Sequence, residues 1–268
     1  MLPAARPFLK WAGGKAQLLD QLRPLFPGRF ENYFEPFVGG GAVFFGVRPE
    51  VATLSDVNGE LVNTYEIVRD RPDALITALK RHRYEKEYFY RVRDQKPAEL
   101  SPVERAARMI FLNKTAFNGL YRVNSRGQFN VPFGRHRQPQ FCDEDNLKAC
   151  SLALEHVRFD NVDFEMVLGD ARRGDFVYFD PPYVPVSDTA YFTSYIPGGF
   201  SWADQQRLAG VVSRLAARGV KVMLSNSDVP ALRDLYGNFR IETVTATRRI
   251  NSRVDGRGSL SEIVVLTY

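Results

Sequence analysis

Residues 33–45 read YFEPFVGGGAVFF, a pattern that predicts a short strand, a glycine turn and the start of a helix. Gly39 and Gly41 let the backbone approach a ligand closely, because a glycine carries no Cβ. A tight turn that binds nothing has the same pattern, so the glycines alone decide little. Asp56 follows a second β-rich run, where an acidic side chain accepts hydrogen bonds from ribose hydroxyls. Together the glycine turn and Asp56 indicate a pocket for a cofactor that contains adenosine.

Short β-rich runs recur along the chain and alternate with segments of helical periodicity. They lie at residues 33–37, 52–55, 176–179, 220–224 and 263–268. This alternation is typical of an α/β protein with a mostly parallel, doubly wound sheet. The clearest helix is predicted after Ser201, which forms a capping box with Asp204, and it ends at Gly219. Its apolar residues recur at helical spacing: Leu208, Val211, Val212 and Leu215.

Residues 105–141 form a basic segment without a single Asp or Glu. Its cations are Arg105, Arg108, Lys114, Arg122, Arg126, Arg135 and Arg137. Aromatic side chains are interleaved with them: Phe117, Tyr121, Phe129 and Phe133. A basic run is most often a solvated face, but this mixture also suits phosphate contact combined with base stacking. The basic segment therefore favours a nucleic-acid partner.

The character of the sequence changes twice, near residues 58 and 142. Between these points the sequence is helical, aromatic and polar, and part of it is loop-like, with Asn, Gly and Pro. We therefore predict a catalytic domain in two parts: residues 1–58 with the cofactor motifs and residues 143–268 with the catalytic motif. Residues 59–142 are predicted to form an inserted, mainly helical recognition domain.

Composition places the chain among globular proteins, because 44% of its 268 residues are hydrophobic and 25% are charged. The 36 Lys and Arg exceed the 31 Asp and Glu, which mildly favours a polyanionic partner. Cys142 and Cys150 lack metal-binding spacing, so we expect neither a disulfide framework nor a metal site. The chain shows no signal-peptide core and no apolar run of membrane-spanning length. We expect a reduced, cytoplasmic location.

Residues 8–15 read FLKWAGGK, in which a glycine pair precedes Lys15. A phosphate-binding loop needs a preceding strand, a longer glycine spacing and Ser or Thr after the lysine, whereas Ala16 follows here. An enzyme that hydrolyses nucleoside triphosphates is therefore disfavoured. Lys15 is instead a candidate to meet a carboxylate of the cofactor as a point charge, with Trp11 shaping the pocket. The alternative is a surface lysine beside a core tryptophan.

Residues 176–183 read FVYFDPPY, a buried-strand pattern that delivers Asp180 at its carboxyl end. Open α/β sheets bind ligands at that edge. Pro181 and Pro182 stiffen the turn and disfavour a helical conformation for the residue before each of them. We therefore expect the Asp180 carboxylate and the Pro181 carbonyl to present two acceptors in one direction. Four such letters also fit an ordinary loop, but the strand context and the glycine motif argue against that.

Two acceptors in one direction suit an aromatic amine, which is a weak nucleophile because its lone pair is delocalised into the ring. By accepting both amine hydrogens, Asp180 and Pro181 would localise the lone pair and align the nitrogen for in-line methyl transfer. Neither a metal nor a covalent intermediate is needed. Tyr183 offers a flat face on which a nucleobase stacks, and a base reaches it only by leaving the double helix.

Read together, these motifs resemble the Dam family of DNA adenine-N6 methyltransferases, which includes solitary and restriction-system enzymes that modify GATC. The matching segments are residues 8–15, 37–41, 56–58, 180–183, 189–195, 248–252 and 257–258. The first three are similar to the family's cofactor motifs and the fourth to its catalytic motif. The others resemble its substrate-side loop and its C-terminal signature. The implied fold is a Rossmann-like S-adenosylmethionine-dependent methyltransferase sheet with an inserted DNA-recognition domain.

The resemblance implies S-adenosylmethionine as methyl donor, S-adenosylhomocysteine as product and no metal. The implied cofactor contacts are Trp11, Lys15, Phe37, Gly39, Gly41, Asp56 and Asp180. The implied catalytic residues are Asp180, Pro181, Pro182 and Tyr183. Asp170 follows a strand signal at residues 167–168, and it either lines the adenine end of the cofactor or is a turn residue.

Double-stranded DNA is the substrate that the resemblance implies, and the basic segment contains its reader. Residues 118–122 and 130–134 resemble the family's recognition hairpin, in which the arginine reads guanine and the leucine and proline touch a thymine methyl. The implied DNA contacts are Lys10, Asn118, Leu120, Arg122, Pro132 and Arg135. Arg122 suits a bidentate contact to guanine on physical grounds as well. His136 stands where several relatives carry an aromatic residue, so the outermost base pair stays open.

Three alternatives remain. Two keep the fold and change the acceptor to cytosine N4 or to an amide nitrogen of a protein, but similar sites often carry Ser or Asn in place of this Asp. The third is a DNA-binding module that only senses a ligand, for which an intact Asp180 and Pro181 are wasteful. We therefore expect methylation of adenine N6 within GATC or a close variant. We also expect a monomer of bacterial or phage origin, with or without a companion restriction endonuclease and without a stable complex.

Overall fold

The computed structural model describes residues 2–124, 126–184, 199–247 and 259–268. Its strands in these ranges are β1 (Tyr33–Glu35), β2 (Ala52–Ser55), β3 (Val157–Asp160), β4 (Phe176–Phe179), β5 (Lys221–Ser227), β6 (Arg240–Thr247) and β7 (Ser259–Leu266). Within the described residues they form a seven-stranded sheet in the order β3-β2-β1-β4-β5-β7-β6. The pairs β1–β2, β1–β4 and β4–β5 are parallel, whereas β7 runs antiparallel to β5 and β6. The predicted mostly parallel α/β sheet is therefore confirmed.

Two strands that the sequence pattern did not predict, β3 and β6, occupy the two ends of this strand order. β3 reads VRFD and alternates buried with more exposed positions, and β6 reads RIETVTAT. Such edge strands lack the continuous apolar run by which a fully buried strand is recognised. By contrast, all four residues of the central strand β4 are buried, and its apolar run predicted it correctly.

Helices connect these strands. Within the described residues they are α1 (Leu19–Leu22), α2 (Ala42–Val47), α3 (Gly59–Asp70), α4 (Pro72–Lys80), α5 (Lys86–Asp94), α6 (Pro102–Thr115), α7 (Glu144–Ala153), α8 (Val167–Asp170), α9 (Trp202–Ala217) and α10 (Pro230–Leu235). The predicted capping box of α9 is present between Ser201 and Asp204, and Gly219 follows the helix with a φ of 77°. Among the described residues, no helix combines the length and the apolar character needed to cross a membrane.

The chain divides into two compact units. The first comprises the described residues of Met1–Gly14, Val38–Arg48 and Asp56–Asn161, and the second comprises those of Lys15–Phe37, Pro49–Ser55 and Val162–Tyr268. The apolar core of the first unit includes Phe89, Phe111, Phe129 and Val131. That of the second unit includes Val177, Phe179, Leu208, Val211 and Leu224. The domain boundaries predicted at residues 58 and 142 stay a prediction.

The strand signal at residues 167–168 is wrong, because Val167–Asp170 forms α8 directly after a 3-10 turn at Phe164–Met166. The Asp163 side chain caps this turn by accepting a hydrogen bond from the backbone N–H of Glu165 at 3.0 Å. The capped turn thus continues as a helix at Val167 and Leu168, although two adjacent apolar residues there suggested a strand. Asp170 consequently lies exposed at the end of a short helix rather than after a strand.

Candidate active site

The turn after β4 brings the predicted catalytic carboxylate next to a buried cation. Asp180 directly follows β4, so it lies at the carboxyl end of a central strand, as predicted. Lys15 begins a 3-10 turn, and its Nζ lies 2.7 Å from Asp180 Oδ1. Only 2% of Lys15 is exposed, so the alternative of a surface lysine is wrong. The contact of Lys15 with a cofactor carboxylate stays a prediction.

The surroundings of Asp180 adjust its protonation. Burial raises the pKa of Asp180 to about 6, because it disfavours the charged carboxylate. The neighbouring Lys15 ammonium acts in the opposite direction, and the nearby Glu262 carboxylate raises the pKa further. Asp180 is therefore ionised at neutral pH, in the form that accepts hydrogen bonds from an amine.

Tyr183 is held by two charged side chains. Its hydroxyl donates a hydrogen bond to Glu262 Oε2 at 2.6 Å, and Lys15 Nζ lies 4.5 Å from its ring centroid, within cation–π distance. Burial, together with the Asp180 carboxylate, raises the pKa of Tyr183, so the hydroxyl stays protonated. Lys15 Nζ also lies 4.0 Å from Glu262 Oε2. One cation, two carboxylates and a phenol ring thus form a single cluster in the second unit.

A buried network of amides fixes the catalytic turn. Gln205 Nε2 on α9 donates a hydrogen bond to the Pro182 carbonyl at 3.1 Å, and Asn226 Nδ2 on β5 donates to Gln205 Oε1 at 3.0 Å. Ser227 Oγ donates to the Val184 carbonyl at 2.6 Å. A helix and a central strand therefore hold the turn by its backbone.

Sequence reasoning missed Glu262, Gln205 and Asn226, all of which contact the catalytic turn or its side chains. The available signal was a polar residue where the pattern calls for an apolar one, since buried polar groups require partners. Glu262 interrupts the apolar end of β7, and Gln205 is buried on α9. Their partners are distant in the sequence, so the pattern alone did not identify them.

The glycine turn belongs to the first unit and is closely packed. Gly39 and Gly41 have φ values of 47° and 68°, which a side chain rarely permits. A Cβ on Gly41 would lie 2.7 Å from the Tyr65 hydroxyl, which itself donates a hydrogen bond to the Gly39 carbonyl at 3.0 Å. The predicted strand, turn and helix around these glycines are confirmed as β1 and α2.

Asp56 follows β2, as predicted, and ties the glycine turn to the start of α3. Its Oδ2 accepts a hydrogen bond from the Gly39 N–H at 3.3 Å, and its Oδ1 accepts one from the Asn58 N–H at 2.9 Å. Burial raises the pKa of Asp56, although these backbone donors lower it in part. A carboxylate has about four acceptor sites, so Asp56 retains capacity for ribose hydroxyls.

Trp11 and Lys10 sit beside the basic segment within the first unit. The Trp11 indole stacks on Tyr121, with ring centroids 5.3 Å apart and planes 19° from parallel. The backbone of Lys10 is held by Asn113, whose side chain accepts from the Lys10 N–H and donates to its carbonyl, each at 2.8 Å. The basic segment thus fixes both Trp11, a candidate cofactor contact, and Lys10, a candidate DNA contact.

Phe37 lies in an aromatic cluster of the second unit. It stacks on Phe164 with ring centroids 5.3 Å apart and meets Phe200 edge-on at 5.6 Å. Such flat, partly buried rings suit contact with a purine. The roles of Phe37 and Asp170 towards the cofactor stay predictions.

The segment predicted to be the recognition hairpin forms a loop that is closed by backbone pairing, and its role in recognition stays a prediction. Val123 and Phe129 form an antiparallel bridge, and the Asn130 N–H donates to the Arg122 carbonyl at 3.0 Å. Arg122 Nε donates to Asn130 Oδ1 at 2.8 Å. The remaining predicted contacts are exposed on this segment: Asn118, Leu120, Pro132 and Arg135. Asn118 has a φ of 55°, a conformation that asparagine tolerates better than most residues.

A basic cavity of about 620 Å³ lies next to this hairpin in the first unit. Its cationic lining residues are Arg6, Lys10, Lys114, Arg135 and Arg137. Burial lowers the pKa of Lys114 to about 8, and the neighbouring Lys10 and Arg6 lower it further. Asp143, which pairs with Arg6, is the acidic residue of the lining. The excess of cations suits a polyanion.

An open, mostly parallel sheet with a glycine turn after β1, an acid after β2 and a DPPY turn after β4 defines a Rossmann-like methyltransferase. The chain belongs to the family described as D12 class N6 adenine-specific DNA methyltransferase, whose model matches residues 11–250. The resemblance to the Dam family is confirmed. The protein is therefore an S-adenosylmethionine-dependent, adenine-specific DNA methyltransferase that acts on double-stranded DNA.

Relatives match almost the whole chain. A Type II methyltransferase, M1.LlaDCHI of Lactococcus lactis subsp. cremoris, is 45% identical over 98% of this chain and 95% of its own length. The Type II methyltransferase M.MjaIII of Methanocaldococcus jannaschii is 43% identical over 98% and 99%. The DNA adenine methylase of Serratia marcescens is 37% identical over 97% and 98%. The similar proteins thus include both Type II methyltransferases and a DNA adenine methylase.

Three predicted motif segments, residues 189–195, 248–252 and 257–258, lie outside the described residues. Within the described residues, the structure brings Lys15 and Asp180 together in the second unit. It brings Gly39 and Asp56 together in the first unit.

Proposed function

We propose that the enzyme methylates N6 of an adenine that has been flipped out of duplex DNA, within GATC or a close variant. The observation that carries this proposal is the ionised, partly buried Asp180 at the end of β4, paired with the buried Lys15 and followed by Pro181. The recognition hairpin around Arg122 supports the choice of site.

The catalytic turn acts by hydrogen bonding and orientation. The Asp180 carboxylate accepts one hydrogen of the adenine amine and the Pro181 carbonyl accepts the other, which localises the lone pair on nitrogen. When bound, S-adenosylmethionine supplies an electrophilic methyl group on sulfur. Asp180 then takes up the proton that nitrogen loses, since its pKa of about 6 lets it release that proton at neutral pH.

Lys15 and Tyr183 prepare the turn for this chemistry. Lys15 keeps Asp180 ionised and oriented through its 2.7 Å ion pair. Tyr183, whose hydroxyl is anchored on Glu262, offers its ring to the flipped base. A base that has left the stack needs such a face, because unstacking costs a few kcal/mol.

The cofactor contacts that we propose are those implied by the sequence. In the first unit, Asp56 accepts hydrogen bonds from the ribose hydroxyls. Gly39 and Gly41 leave space for the backbone to approach the ligand. In the same unit Trp11 lines the pocket. In the second unit the proposed contacts are Lys15, Phe37, Asp170 and Asp180. The free acceptor capacity of Asp56 supports its role.

Residues 59–142 are proposed to be the inserted target-recognition domain. Because Asn130 occupies Arg122 Nε, the two terminal nitrogens of Arg122 are the donors available for a bidentate contact to guanine. Leu120 and Pro132 are proposed to touch a thymine methyl, Lys10 an outer guanine, and Asn118 and Arg135 the DNA. The Type II names of two relatives favour a role in a restriction system.

The decisive experiment combines purified protein with labelled S-adenosylmethionine and duplexes that differ from GATC at single positions. We expect label on adenine in the intact site, a strong loss at each altered position, and no transfer by Asp180→Ala at unchanged DNA affinity. Label on cytosine, or equal label on a scrambled duplex, would refute the specificity. A parallel loss of DNA binding by Asp180→Ala would show a structural role instead.

A further inference from the structure

Tyr121 differs from its neighbours in where its side chain lies. Leu120 and Arg122, on either side of it in the hairpin, are exposed, whereas Tyr121 is partly buried. The ring stacks on Trp11 and meets Phe129 edge-on, with ring centroids 5.7 Å apart. One residue of the DNA-reading segment therefore points into the interior of the first unit.

Trp11, on which Tyr121 stacks, belongs to the proposed cofactor pocket. Trp11 lies against the glycine turn so closely that a Cβ on Gly39 would be 2.7 Å from the indole, and one on Gly40 would be 3.1 Å from the Trp11 Cβ. Burial raises the pKa of the Tyr121 hydroxyl, and the nearby Asn58 side chain lowers it only in part, so the hydroxyl stays protonated. The Tyr121 ring thus contacts the Trp11 indole, which covers the glycine turn. The Tyr121 hydroxyl lies near Asn58, at the start of α3.

These contacts close a ring of interactions within the first unit. Asp56 accepts hydrogen bonds from the backbone of both Gly39 and Asn58. Trp11 covers Gly39, Tyr121 stacks on Trp11, and the Tyr121 hydroxyl lies near Asn58. A displacement of Tyr121 therefore acts on the glycine turn through the Trp11 indole.

We infer that Tyr121 is a positioning residue through which DNA recognition and cofactor binding strengthen each other. This inference rests on the proposed function, because it requires that the hairpin reads DNA and that the glycine turn binds the cofactor. Binding of DNA fixes the hairpin, which holds Trp11 and Asn58 in the arrangement that the cofactor needs. When the second ligand binds, the first ligand has already ordered the pocket, so the protein loses less conformational entropy. The coupling is reciprocal by thermodynamic necessity.

The test compares Tyr121→Leu with Tyr121→Phe. The leucine removes the stacked ring and the hydroxyl, whereas the phenylalanine retains the ring and removes only the hydroxyl. Calorimetry measures the dissociation constant of S-adenosylhomocysteine alone, with a GATC duplex and with a scrambled duplex. We expect the GATC duplex to tighten wild-type binding at least about fivefold. Tyr121→Phe should keep most of that factor, and Tyr121→Leu should reduce it towards one.

A second readout reports on the indole itself. The sequence contains two tryptophans, Trp11 and Trp202, so Trp202→Phe leaves Trp11 as the only tryptophan, whose emission is excited selectively at the red edge of the absorption band. In that background a GATC duplex without cofactor should change the emission of the protein with Tyr121 or Tyr121→Phe, but not of Tyr121→Leu. A merely structural role would lower thermal stability without separating these responses.

The outcomes distinguish this inference from the function on which it rests. An unchanged coupling factor or an unchanged emission response in Tyr121→Leu would overturn the role of Tyr121. A wild-type enzyme that methylates GATC but shows no coupling would overturn it as well. If the wild-type protein binds no S-adenosylhomocysteine, or methylates no adenine in GATC or a close variant of it, the proposed function fails instead.

Discussion

The chemistry of Asp180 depends on one cation and one second carboxylate in its immediate surroundings. Lys15 favours its ionised form, while burial and Glu262 favour the neutral form. The balance places its pKa at about 6, two units above the ordinary value for an aspartate. A carboxylate with this pKa is ionised at neutral pH and still accepts a proton.

We predict that kcat/KM is constant near neutral pH and falls as the pH drops through about 6. The sign follows because protonated Asp180 no longer accepts a hydrogen of the adenine amine. Initial rates with labelled cofactor and a GATC duplex, taken across this range, measure the acid limb. Glu262→Gln should move the limb to lower pH, because it removes a carboxylate that raises the pKa of Asp180.

The matched control is Glu242→Gln on β6, whose side chain pairs with Arg240 instead. It should leave the acid limb in place. The glutamine amide oxygen at position 262 still accepts the hydrogen bond from Tyr183, so the anchoring of the ring is retained. An acid limb that stays near 6 in Glu262→Gln would contradict this account of the pKa of Asp180.

Arg122 is expected to determine which base the enzyme accepts at one position of its recognition site. Arg122→Ala should cost about 1 to 3 kcal/mol at the guanine that it reads and should relax discrimination at that position. Methylation rates on duplexes with single substitutions measure this loss. Arg126→Ala, an exposed arginine of the same hairpin, is the control and should weaken all sequences alike. A uniform loss in Arg122→Ala would identify a phosphate contact.

Single residues were predictable where their role follows from local context. Asp180 and Asp56 each follow a recognisable strand, and both lie where that context places them. Glu262, Gln205 and Tyr121 act through partners far away in the sequence, such as Tyr183, Pro182 and Trp11. No local pattern encodes such pairs, so they emerge only from the folded chain.

At the scale of elements, the glycine turn between β1 and α2 is the most constrained piece of backbone. Gly41 combines a φ of 68° with a hydroxyl of Tyr65 placed where a Cβ would point. The left-handed φ and the Tyr65 hydroxyl thus both disfavour a Cβ at position 41. The need for glycine at this point was predictable from the sequence, whereas the contact with Tyr65 was not.

We predict that Gly41→Ala lowers the free energy of unfolding by at least about 1 to 2 kcal/mol, the cost of a left-handed conformation for a residue with a Cβ. Thermal denaturation measures this change, and the affinity for S-adenosylhomocysteine should fall as well. Tyr65→Phe in the same chain should recover part of the loss by removing the clashing oxygen. Gly28→Ala, where a Cβ meets no atom within 4 Å, is the control. Equal effects at both glycines would contradict the argument.

The sequence predicted those strands that lie in the interior of the sheet and missed those at its edges. The central strands β1, β2, β4 and β5 carry apolar runs and were found, whereas the edge strands β3 and β6 mix apolar and polar letters and were not. The error at α8 has a different cause, since the 3-10 turn that Asp163 caps continues directly into the helix Val167–Asp170.

At the scale of the whole molecule, positive charge is concentrated in one stretch. The formal net charge is +5, while the basic segment of residues 105–141 carries seven cations and no acid. The rest of the chain is therefore slightly acidic, since 5 − 7 gives −2. From this asymmetry we expect the first unit, to which the segment belongs, to supply the electrostatic part of DNA binding.

We predict that the affinity for duplex DNA falls steeply with salt and that Arg137→Ala reduces the slope of log K against log salt by about 1. Arg137 lines the basic cavity next to the hairpin. Fluorescence anisotropy at several salt concentrations measures the slope. Arg214→Ala removes a cation that pairs with Glu165 at 2.7 Å, and it should leave the slope unchanged. Identical slopes for Arg137→Ala and the wild type would exclude a phosphate contact.

The position of β7 has a consequence for how this enzyme is made. β7 comes after β6 in the chain but lies between β5 and β6 in the sheet, and β6 pairs with β7. During synthesis on the ribosome, β6 therefore emerges before its neighbour exists. Polypeptides terminated before residue 259 would leave the sheet short of this strand and would lack Glu262. Completion of the sheet, and of the contact between Tyr183 and Glu262, thus waits for the synthesis of β7.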